Sequence, residues 1–68
     1  MEFRLKFEFI ELDNLLKVLD LATDGIEAKH SIQEGLVKVN GQIEKRVRCK
    51  LRPGDSVEFR QQQVSIIK

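Results

Sequence analysis

Asp24-Gly25-Ile26-Glu27-Ala28-Lys29-His30-Ser31-Ile32-Gln33-Glu34-Gly35, continued by Leu36-Val37-Lys38-Val39-Asn40-Gly41, reads as a helix, a stop, a strand and a turn. Asp24 and Glu27 form an Asp-x-x-Glu variant of the capping box, in which acidic side chains take up free N–H groups at a helix start. Ala28 and Ile32, one turn apart, supply a stripe to bury. Gly35 can take the left-handed conformation that ends a helix. These signals predict a helix over residues 25–34. Beyond the stop the apolar period changes to two, which predicts a strand over 36–39, a turn at Asn40-Gly41 and a return strand beginning at Ile43. A two-residue loop would set Lys38 opposite Ile43 and Val39 opposite Gln42, mixing polar and apolar side chains on one face. A three-residue loop with Gly41 left-handed sets Val37 opposite Ile43, and that register is expected.

Upstream, Phe3, Leu5, Phe7 and Phe9 alternate with Arg4, Lys6 and Glu8. A period of two predicts a half-buried strand over 3–10. Its Phe stripe could serve as a base-stacking platform or as core, and core is expected because so small a chain needs its aromatics inside. Leu12, Leu15, Leu16 and Leu19 share one helical face, so a first helix is expected from about Asp13, with Asp13 as its cap. Few residues separate the two helices, so they must pack closely. Downstream, Pro53-Gly54 predicts a second turn. Val57 and Phe59 predict a strand, and Val64, Ile66 and Ile67 a final short one, with Gln61–Gln63 as a polar connector. The order is α+β: two packed helices, a small antiparallel sheet and an added N-terminal strand.

The length of 68 residues predicts one domain, spanning 1–68, with a thin core. With 41% apolar and 34% charged residues, the composition suits a folded chain. No apolar run approaches the roughly 20 residues of a membrane helix, and the N-terminus lacks the apolar block of a secretory signal. Cys49 is the only cysteine, which points to a reducing, cytoplasmic setting. One Cys and one His do not make a zinc site, and no Gly-rich phosphate loop or cofactor motif is present. The carboxylates are scattered and His30 has no triad partner, so an enzyme is not expected.

The net charge of +1 conceals a split: residues 1–44 hold five Lys/Arg against nine Asp/Glu, and residues 45–68 hold seven against two. The source is Lys45-Arg46-Val47-Arg48-Cys49-Lys50-Leu51-Arg52, with five cations and no acid. Arg46, Arg48, Lys50 and Arg52 occupy even positions, and Val47, Cys49 and Leu51 odd ones. In an extended chain the cations would line one face about 6–7 Å apart, while the apolar set anchors the strip. That spacing is close to that of phosphates along a nucleic-acid strand, and Arg suits bidentate phosphate contacts. The strip is therefore read as facing a polyanion; the competing reading is a solvated edge strand kept from aggregating by its charge. Cys49, at an odd position, is expected to be buried rather than a reactive thiol.

Three stretches, in order, resemble the S4 family of RNA-binding domains. The family's Arg-Leu-Asp-x-x-Leu reads here Glu11-Leu12-Asp13-Asn14-Leu15-Leu16. Its Ser-Arg-x-x-Ala-Arg-x-x-Ile-x-x-Gly-x-Val-x-Val-Asn-Gly reads as the stretch Asp24 to Gly41 quoted above. Its Lys-Pro-Gly-Asp reads Arg52-Pro53-Gly54-Asp55. The resemblance covers residues 11–58 without a gap and is to a small, stand-alone bacterial branch of the family. It implies the alpha-L motif, two packed helices followed by a small curved antiparallel sheet, and RNA recognition by the second helix and the strand-loop after the first hairpin. Lys29 stands where the family has its second Arg, Lys50 where it often has a basic residue, and Lys38 fits. Two usual cations are missing from the helical side, since Glu11 and Gly25 stand in their places; the 45–52 strip is expected to compensate.

The site expected for RNA comprises Lys45, Arg46, Arg48, Lys50 and Arg52 on phosphates, with Lys29, Lys38 and Asn40 fixing orientation. The expected partner is structured ribosomal or transfer RNA, bound with low sequence specificity by a ribosome-associated monomer. A ribosomal or RNA-processing protein is a further possible partner. The alternative is a protein-interaction module whose basic strip docks an acidic or ribosome-associated protein. An RNA-modifying enzyme is a third class, for which this chain has no room.

Overall fold

Asp24 Oδ1 accepts a hydrogen bond from Glu27 N at 2.8 Å in the computed structural model, which describes residues 1–68. The return arm of the box reaches one residue further back than in the standard form: Glu27 accepts from Thr23 N and Thr23 Oγ1 at 3.3 and 3.1 Å. Helix α2 therefore runs Gly25–Gln33, and Gly35 follows with φ +79°. Helix α1 runs Leu12–Val18. Asp13 takes up one free N–H at the helix start, accepting from Asn14 N at 2.8 Å, but does so from within the first turn and not from the cap position. The residue at the cap position is Glu11, with no side-chain cap bond, and Asp13 lies in the first turn. Leu12 N and Asp13 N instead donate to the carbonyls of Cys49 and Val47 at 2.9 and 3.1 Å. Distant backbone meets the need of a helix start for acceptors.

Seven short strands complete the fold: β1 Glu2–Arg4, β2 Ile10–Glu11, β3 Val37–Val39, β4 Gln42–Ile43, β5 Lys50–Leu51, β6 Ser56–Phe59 and β7 Gln62–Ile67. Five form a sheet in the order β1-β7-β6-β3-β4, and β2 pairs with β5 separately. The pairs are antiparallel except β1 with β7, which is parallel. Val37, Val57, Phe59, Val64 and Ile66 from the sheet join Leu12, Leu15, Leu16, Ala28 and Ile32 from the helices in one buried cluster. Each such Leu, Ile or Phe contributes about 1.5–3 kcal/mol by leaving water.

Three local expectations change. The N-terminal strand does not continue over 3–10. It stops at Arg4, the chain bends at 6–8, and pairing resumes at Ile10 with Leu51. Phe3, opposite Ile66, is half-buried, whereas Phe7 is 82% exposed. One extended segment cannot pair with β7 and also reach β5, so the stripe expected in the core is broken.

The hairpin register also differs. Asn40 and Gly41 both have positive φ, 53° and 83°, forming a two-residue loop with Val39 opposite Gln42 and Lys38 opposite Ile43. The expected register assumed that Ile43 must be buried, but it lies on an edge strand and is 58% exposed. Side-chain bonds hold the turn: Asn40 Nδ2 donates to Asp55 Oδ1 at 3.0 Å, and Ser56 N donates to Asn40 Oδ1 at 2.9 Å.

The expected polar connector Gln61–Gln63 is mostly strand. The β6–β7 turn is Arg60-Gln61, with φ of 53° and 65°. A side chain in the left-handed region costs about 1–2 kcal/mol. Glycine removes that cost, but the greater freedom of its unfolded state cancels part of the gain. Gln61→Gly should therefore raise stability by about 0.5–1 kcal/mol, read as a higher urea midpoint with an unchanged slope.

Candidate nucleic-acid interface

The basic stretch is not the regular strand its alternation suggests. Residues 46–49 form a turn closed by Cys49 N donating to Arg46 O at 3.2 Å, and only Lys50–Leu51 are strand. The alternation of exposure survives. Arg46, Arg48, Lys50 and Arg52 are exposed, Val47 and Cys49 half-buried, and Leu51 fully buried. Its cause is the docking of the loop on α1: the Val47 and Cys49 carbonyls cap that helix while the odd side chains enter the core. Beyond β5, Arg52 N donates to Asp55 Oδ2 at 2.8 Å. Asp55 thus ties the end of the basic stretch to the Asn40 turn.

Arg46, Arg48, Cys49, Lys50 and Arg52 line one open concavity. Lys50 Nζ lies 4.9 Å and Arg52 Cζ 5.9 Å from the centre of the Phe9 ring. A ring face attracts cations, so Phe9 gathers two long side chains that would otherwise disperse. Arg48, Lys50 and Arg52 make no ion pair with a carboxylate, so their charge faces outward unneutralised.

Arg46 differs. Its Nε and one terminal nitrogen donate to the two oxygens of Glu44 at 2.8 and 3.0 Å, and Arg46 N also donates to Glu44. These bonds, chiefly the side-chain pair, hold the Glu44 carboxyl down from 4.5 to about 2 and raise the Arg46 guanidinium further. Burial, ahead of the nearby Glu44 charge, pushes the Cys49 thiol up, as suits a packing side chain. A depressed carboxyl stabilises the fold fully above its unfolded value of 4.5 and loses that contribution as pH falls through about 2. Glu44→Gln should accordingly lower the urea midpoint at pH 6, and the gap from the parent should close as pH falls from 4.5 to about 2.

The other expected residues do not join this concavity. The Lys45 stem passes beside Gly35, at the negative end of α2; a Cβ there would lie 3.6 Å from Lys45 Cε. Lys29 is exposed on α2. Lys38 is exposed on β3, opposite Glu58 of β6. The Asn40 amide is engaged with Asp55 and Ser56. Sequence reasoning missed two participants. Phe9 carried no signal of its contact with Lys50 and Arg52, which arises across the β2–β5 pair. Glu44 was legible, because residues two apart in extended chain share a face. Arg60, a cation outside the basic stretch, serves the fold: it donates to Leu21 O at 3.3 Å, approaches Glu27 at 3.6 Å and stacks on Phe59.

Comparison with known proteins gives a consistent result. The S4 domain family profile matches residues 3–67. YbcJ of Escherichia coli (strain K12) is 40% identical over 62 residues, covering 91% of this chain and 89% of that protein. YbcJ of Shigella flexneri matches to the same extent. The solution structure of Escherichia coli YbcJ, described as revealing an ALFAL motif involved in RNA-binding, aligns with a TM-score of 0.74 over 98% of this chain and 86% of that one.

Proposed function

The chain belongs to the S4 domain family, and from that premise we propose that it is an RNA-binding module acting through the loop from Lys45 to Arg52. The observation that carries this reading is the concave face on which Arg48, Lys50 and Arg52 stand without carboxylate partners. Exposed cations on a loop that caps α1 and is anchored by its apolar side chains suit phosphates, whose counterions are released on binding. The RNA-binding motif described for the Escherichia coli YbcJ structure supports the same ligand class.

Arg48, Lys50 and Arg52 contact phosphates, and Lys45 extends the contact towards α2. Arg46 joins when a phosphate displaces Glu44 from its fork. Lys29 and Lys38 serve as outlying contacts that orient a larger RNA, and Asn40 acts by holding the turn. Contacts of this kind position a backbone and read little sequence, which favours structured ribosomal or transfer RNA. Four phosphate contacts, from Lys45, Arg48, Lys50 and Arg52, predict a log–log salt slope of about −3 to −4. Titration of a labelled structured RNA across a salt series measures it. A flat response would remove the basis of the proposal.

A further inference from the structure

Phe9 belongs to two surfaces at once. Its ring carries Lys50 and Arg52 at the edge of the basic loop. It also lines a second concavity, with Phe7, Leu5 and Val18 among its apolar lining and Arg4, Lys6 and Glu11 as its charged lining. Phe7 is 82% exposed and Val18 56%. Exposure of a whole Phe side chain leaves apolar area in water that the fold does not use. An apolar hollow joined through the Phe9 ring to Lys50 and Arg52 offers two chemistries side by side, an aromatic face and anion contacts. A nucleotide has the matching pair, a flat base and a phosphate.

We infer that Phe7 is a stacking platform for an unpaired base whose flanking phosphates lie on Lys50 and Arg52, so that the module prefers RNA with unpaired nucleotides to continuous duplex. The inference rests on the RNA-binding reading above and adds to it the kind of RNA. In duplex RNA every internal base is stacked on both faces and has none free for Phe7. In a loop or bulge a base can turn out, and any base fits because each has a π-face. Phe9 is less available as the platform, since its ring already carries the two cations. Its role is to hold them beside the hollow. Lys6 in the lining and Lys50 and Arg52 across the Phe9 ring outnumber the one lining carboxylate, Glu11, and favour an anionic occupant over an apolar protein segment. Arg4 is engaged with Lys68 O at 2.6 Å.

The test compares a hairpin RNA with an unpaired loop, the same hairpin with an abasic loop, and a blunt duplex of the same stem. The parent protein should bind the hairpin more tightly than the other two. Phe7→Ala, at a side chain with little burial to lose, should weaken hairpin binding about 5- to 100-fold, leave duplex binding unchanged and leave the salt slope unchanged. Phe7→Trp should restore hairpin affinity. The chain has no other Trp and no Tyr, so its emission reports the site alone and should be quenched by the hairpin and not by the duplex. Equal binding of hairpin and duplex, with no effect of Phe7→Ala, would overturn the stacking role while leaving RNA binding intact. Failure of the parent protein to bind any of the three RNAs would overturn both. Loss of self-association in Phe7→Ala with unaltered RNA binding would assign the hollow to a second copy of the chain and overturn the inference.

Discussion

Arg48→Glu combined with Lys50→Glu should lower affinity for a structured RNA roughly 100-fold at moderate salt and make the salt slope shallower by about 2. Both side chains are exposed and neither is paired with a carboxylate, so the exchange breaks no internal ion pair. It removes two of the proposed phosphate contacts and places two anions on the face proposed for phosphates. Lys50 loses its position over Phe9, but its backbone pairing with Glu11 is unaffected by the side chain. Lys17→Glu combined with Lys68→Glu makes the same change in net charge elsewhere on exposed positions. That control should cost far less, because neither side chain lines the basic concavity. If the two double variants lose affinity equally, the effect is one of overall charge and the loop has no special part.

Leu51→Ala should cost about 2–5 kcal/mol. Leu51 is fully buried and opposes Ile10 in the β2–β5 pair, itself nearly buried. Its truncation removes apolar contact and leaves a cavity that its short flanking strands can close only in part. A chain of this length has a total stability of about 3–10 kcal/mol, so the loss is a large share of it. The urea midpoint should fall steeply. RNA affinity should fall with it, since the loop carrying Arg48, Lys50 and Arg52 depends on this anchor. Val47→Ala, at a half-buried position, should cost distinctly less. Equal costs at the two positions would mean that the loop is not pinned mainly through β5.

The candidate interface was partly legible in the sequence for a definite reason. Alternation at 46–52 records which side chains the core accepts, and that record does not require a strand. The loop turns at 46–49, yet Val47, Cys49 and Leu51 still point inward and the cations outward. The pairing of Arg46 with Glu44 was available to the same logic. The contact of Phe9 with Lys50 and Arg52 was not, because the two segments lie some forty residues apart and nothing local records their meeting.

Residue order by itself determined α2 with its Asp24 cap, the stop at Gly35, the strand after it, the Pro53-Gly54 turn and the in-out alternation of the basic stretch. Each is a preference of the backbone or a periodicity expressed within a few neighbours. Tertiary structure decided where the N-terminal strand ends, which register the Asn40-Gly41 hairpin takes, what caps α1 and why Phe7 is left in water. Those outcomes depend on which distant backbone or side chain arrives alongside, and a short peptide has the same local preferences whichever partner it meets.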